Sequence, residues 1–68
     1  MMEVRARVWE EIEETIIQCL ELPKIKSTKP TKAEAVSDIT AQLQDWKTKN
    51  SPDSDIKLTF MESSEIII

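Results

Sequence analysis

The chain has no histidine, no glycine and no tyrosine, and it has a single cysteine. Without histidine there is no Ser-His-Asp or Cys-His catalytic arrangement. There is also no His-bearing zinc or di-iron site, and one thiol cannot stand in for a cysteine cluster. Without glycine, no glycine-rich loop can bring backbone N–H groups against a phosphate. A lone cysteine forms no internal disulfide, so a reducing compartment suits the chain. No apolar run approaches the roughly 18–20 residues that cross a bilayer. The opening Met1-Met2-Glu3-Val4-Arg5 lacks the basic-then-apolar layout of a secretory signal. The expectation is a cytoplasmic, non-catalytic protein with no metal, no cofactor and no membrane association.

What is present describes a small acidic domain. The hydrophobic fraction is 40% and the charged fraction 32%, which favours folding over disorder. The 68 residues form a single domain, 1–68. A core of this size supplies only about 3–5 kcal/mol, and disulfides and metals are missing as supplements. Homo-oligomerisation is the remaining common one and is expected here. The net charge of −4 makes nucleic acid an unlikely partner for the chain as a whole.

Residues 3–22 read as an amphipathic helix. Val4, Val8, Ile12, Ile16 and Leu20 recur every four residues, with Trp9 and Cys19 beside the stripe. Arg7, Glu10, Glu11, Glu14, Gln18 and Glu21 fall on the opposite face, and Ile17 falls off the stripe. Pro23 ends the segment. Residues 24–32 form a lysine-rich connector in which Lys24 to Thr28 alternates weakly, the pattern of a short edge strand. Thr31-Lys32-Ala33-Glu34 is a capping box and starts a second helix, about 32–49. Its seam is Val36, Ile39, Leu43 and Trp46, and Lys47 and Lys49 suit its C-terminal dipole. Asn50 to Asp55 is a turn cluster. Ile56, Leu58 and Phe60 then alternate with Lys57, Thr59 and Met61 as a half-buried strand. Glu62 to Glu65 breaks it, and Ile66-Ile67-Ile68 reads as a second strand. The predicted fold is α+β: two amphipathic helices followed by a C-terminal β-hairpin or strand pair at about 56–61 and 65–68, completed by dimerisation.

Three functional classes can be set against this frame. The first is a protein-binding module: a regulator, inhibitor, adaptor or subunit. Its candidate contact residues are Trp9, Glu10, Glu13, Glu14, Ile17 and Trp46. The two tryptophans sit at the edges of apolar faces, and Trp is enriched at interface hot spots. The dense carboxylates ask for a basic partner surface. The second is a nucleic-acid-associated regulator acting through Lys24, Lys26, Lys29 and Lys32, although no arginine or aromatic interleaves them. The third is Mg²⁺-dependent phosphate chemistry. On a helix, Glu10/Glu13 and Glu11/Glu14 would be E-x-x-E pairs able to hold Mg²⁺ through water. Glu34, Asp38 and Asp45 do not supply the second acidic pair such a site needs. Cys19, with no base beside it, reads as a small buried hydrophobe.

Overall fold

The structure is a computed structural model, and it describes residues 1–60 and 64–68. The predicted strand end at Met61 and the predicted break at Glu62-Ser63 lie outside the described residues. In chain order the elements are β1 (Met2–Glu11), β2 (Glu14–Cys19), β3 (Lys26–Lys29), α1 (Lys32–Asn50), β4 (Ile56–Phe60) and β5 (Glu65–Ile67). The strands form one five-stranded sheet in the order β3-β2-β1-β4-β5. β1 and β4 run parallel, joined through α1, and every other neighbouring pair is antiparallel. The predicted arrangement of two helices followed by a hairpin is therefore overturned: the described residues contain one helix, and three strands precede it.

The first predicted helix is a β-hairpin. A recurrence of four is shared by two periods, because positions i and i+4 lie on one face of a helix and also on one face of a strand. Val4 and Val8 fit both. The intervening Ala6 decides, since Val4 and Ala6 are both fully buried, which is period two. After the turn the parity flips. Val8 stands opposite Ile17 and Ala6 opposite Cys19, so the inward residues of β2 are odd-numbered. Ile17 and Cys19, off or beside the supposed stripe, are core residues, whereas Leu20 is exposed. The β-branched run Thr15-Ile16-Ile17 suits a strand. Glu11 pairs with Glu14, leaving Ile12 and Glu13 as the turn. Glu13 has φ 60, the left-handed region that glycine would occupy at least cost.

α1 begins as its capping box requires. The Thr31 hydroxyl accepts from the Glu34 N–H at 3.2 Å. It ends at Ser51, whose N–H donates to the Lys47 carbonyl. Ala35, Ile39 and Leu43 are its buried stripe, and they lie over β2 and β3. On the sheet side the core is Val4, Ala6, Ile17, Cys19, Ile56, Leu58 and Phe60. One polar junction sits within this layer. Buried Ser27 donates to Asp38 Oδ2 at 2.6 Å, and Gln42 Nε2 reaches the same oxygen at 3.1 Å and the Lys26 carbonyl at 2.9 Å. These bonds fix the helix to the edge of the sheet. They also hold the Asp38 carboxyl below its usual pKa, the Ser27 hydrogen bond contributing most.

Candidate functional site

Because α1 covers one face of the sheet, the alternate residues of every strand stand on the other. That open face carries Glu3, Arg5, Arg7 and Trp9 from β1, and Ile16 and Gln18 from β2. Lys57 and Thr59 of β4 and Glu65 and Ile67 of β5 continue it. Among the described residues no element packs over this face.

Most of the face is charge that is already paired. Arg5 Nε lies 2.8 Å from Glu21 Oε2, and the Arg5 backbone N–H donates to Glu21 Oε1 at 2.7 Å. Those two bonds lower the Glu21 pKa, the side-chain bond first. Lys57 bridges Glu65 at 3.4 Å and Glu3 at 3.9 Å. Exposed pairs of this kind contribute little stability, and they keep the surface wet.

One end of the face differs. Trp9 stands directly opposite Ile16, and Ile16 opposite Thr28. Ile16 is only 7% exposed although no element covers it, so its neighbours within the sheet bury it. The Arg7 guanidinium lies 5.2 Å from the centroid of the Trp9 ring, within cation–π range. Among the described residues Arg7 has no carboxylate partner, unlike Arg5. Beyond this patch the turn presents Ile12, 91% exposed, between Glu10, Glu11, Glu13 and Glu14, all exposed. The result is an indole and an isoleucine side by side, a guanidinium over the indole with no carboxylate partner among the described residues, and a rim of carboxylates.

The structure separates the residues singled out from sequence. Trp9 is on the open face. Glu10, Glu13 and Glu14 surround the hairpin tip, near Trp9 in sequence but not on one helical face. Ile17 is fully buried in the core and offers no surface to a partner. Trp46 is in α1, in the other layer, where it lines a cleft with Leu22, Pro23 and Ile25. The helical carboxylate spacing that suggested Mg²⁺ loses its basis, because Glu13 stands in the hairpin turn and Glu11 and Glu14 face each other across two strands as a single pair. Among the described residues no group of three or more acidic, His or Cys side chains could hold a metal ion. Lys26 and Lys29 lie on β3, an edge strand, with Lys24 before it and Lys32 opening α1. Lysines there discourage pairing with a foreign strand. Trp9, Trp46 and Phe60 are the chain's aromatics, and none is on β3. Cys19 is buried, and burial, reinforced by the Glu21 charge, pushes its thiol up to about 11. It is no nucleophile at neutral pH.

Arg7 and Ile16 are the members of the patch that the sequence reading passed over. The usable signal was the Arg7-x-Trp9 spacing, which puts both side chains on one face only if the segment is extended. Comparison with protein-family models, curated proteins and solved structures finds no match.

Proposed function

We propose that the chain is a non-catalytic protein-binding module, a regulator, inhibitor, adaptor or subunit, that docks its partner on the open face of the sheet. The observation that carries this reading is the Arg7–Trp9 pair beside Ile16: among the described residues, an indole under a guanidinium with no carboxylate partner, on a face with no covering element. Trp and Arg are the residue types most enriched among interface hot spots. The complementary surface has an apolar patch for Trp9, which Ile16 backs from within the sheet, a carboxylate able to accept both N–H arms of Arg7, and basic groups at the rim for Glu11 and Glu14. The protein works as a homo-oligomer in the cytoplasm, in keeping with its small core and its single buried thiol. No helix of the described residues is long and apolar enough to cross a membrane.

The test is affinity capture from the native host with nuclease present, using wild type, Trp9→Ala and Arg7→Glu. Arg7 is exposed, so its variant keeps the fold, which thermal melting checks. The expected result is a stoichiometric protein partner retained by wild type and lost from both variants. A partner captured equally by all three, or capture abolished by nuclease, contradicts the reading, and the second outcome favours the lysine-rich segment.

A further inference from the structure

The two edges of the sheet are built differently. At β3 the outward-facing Lys26 carbonyl is already taken by Gln42, and a two-fold pairing there would crowd Lys26 and Lys29 of both copies along one short edge. β5 carries one charged side chain, Glu65, and it is paired with Lys57 of the neighbouring strand. Ile56 and Ile68 exchange both backbone hydrogen bonds, and the Phe60 N–H donates to the Ser64 carbonyl. Antiparallel pairs alternate between bonded and non-bonded, so Glu65 and Ile67 turn their N–H and C=O groups away from β4. Among the described residues nothing bonds to them. Apart from Glu65, the side chains along this edge are apolar: Ile67 is 54% exposed on the open face, and Ile66 and Ile68 are half-buried at the rim of the core. α1 approaches β2 and β3 most closely and reaches this rim through Lys47, whose Nζ donates to the Ile68 carbonyl at 3.2 Å.

We infer that β5 is a self-pairing edge and that its occupant is β5 of a second copy of this chain. The pairing is antiparallel about a two-fold axis normal to the sheet, with Ile66 facing its own copy. In this register Glu65 of each chain exchanges two backbone hydrogen bonds with Ile67 of the other. Each Glu65 side chain then stands beside an isoleucine and not beside its own copy, so no like charges meet directly. The axis keeps both helices on one face of a continuous sheet. The half-buried Ile66 of each copy closes on its counterpart and joins the two cores, with each Ile68 beside Ser64 of the other copy. The Trp9 patch lies at the far end of the open face and stays free in both chains. A two-fold edge contact closes after one copy is added. A β5-to-β3 contact would instead grow without limit.

Sedimentation equilibrium on wild type, Ile67→Glu and Glu65→Lys/Ile67→Glu tests this. Within one chain Ile67 lies opposite Lys57, so a carboxylate at that position is well placed and the monomer fold is kept, as melting will verify. Across the two-fold it would face Glu65 of the other copy, twice. The expected result is a wild-type dimer, a dissociation constant raised about tenfold by Ile67→Glu, and recovery to within about threefold of wild type in the charge-swapped double variant. A wild type that stays monomeric from micromolar to millimolar concentration, one that grows past the dimer, an Ile67→Glu dimer of unchanged affinity, or a double variant without recovery would each overturn the inference.

Discussion

The two faces of one sheet differ in nearly every respect except their backbone. The face under α1 is dry: Val4, Ala6, Ile17, Cys19, Leu58 and the helix stripe leave no measurable surface, and the polar junction of Ser27 with Asp38 and Gln42 is satisfied. The open face is wet and ion-paired, except where Trp9, Ile16 and Arg7 meet. Along β4 and β1 the two kinds of surface alternate residue by residue. Stability and recognition are thereby assigned to opposite sides of the same strands. The inner side can be tuned only at the expense of folding, and the outer side can change with little effect on it.

Adjacent residues of β4 give the sharpest contrast. Leu58→Ala removes a fully buried side chain and should cost about 2–5 kcal/mol, comparable to the whole stability of a domain this small. Lys57→Ala, one residue away on the open face, should cost less than about 1 kcal/mol. Urea unfolding of the pair measures both, and similar losses would break the distinction between the faces.

The polar junction comes next. Ser27→Ala should cost about 1–2 kcal/mol, since the lost hydrogen bond is to a carboxylate. The Asp38 pKa is lowered in the folded state, so its contribution is fully present above the unfolded value of about 4 and is lost as pH falls through the folded pKa. Wild type should therefore lose stability on acidification below about pH 4 more steeply than Ser27→Ala. Parallel acid titrations of melting temperature would show no difference if the junction were weak.

Thr31→Ala should cost about 1 kcal/mol by removing the N-cap of the helix that covers the inner face. An unchanged melting temperature would mean that the cap is not holding α1. The smallest expected effect has the opposite sign. Glu13→Gly relieves a left-handed glutamate and should stabilise the β1–β2 hairpin by about 0.5–1 kcal/mol. A loss of stability there would place the turn elsewhere.

These variants also mark where the sequence was readable. α1 was legible at its start because Thr31 and Glu34 form a pattern with one structural meaning, and along its length because Ile39, Leu43 and Trp46 have no period-two reading. β4 was legible because Ile56 to Phe60 alternates strictly. The N-terminal hairpin was not. Its every-fourth apolar pattern fits helix and strand alike, its turn has neither Gly nor Asn, and the parity flip at Ile12-Glu13 lets Ile16 and Leu20 continue a stripe that the fold has already abandoned. The same error misplaced the candidate site. Read as a helix, the segment made Ile17 a candidate contact and hid the fact that Arg7, Trp9 and Ile16 share a face. The parallel pairing of β1 with β4 joins residues more than fifty positions apart, Met2 with Ile56, and no local pattern announces it.

The central claim is that partner recognition belongs to the open face and the fold to the other, and the two tryptophans report on them separately. A ¹H–¹⁵N spectrum of the protein titrated with the captured partner resolves both indole N–H signals. The account predicts that the Trp9 indole and the backbone amides of Arg7, Ile16 and Gln18 shift on binding, while the Trp46 indole and the amides of Ile39 and Leu43 hold their positions. Shifts confined to Trp46 and α1, with Trp9 unmoved, would contradict it.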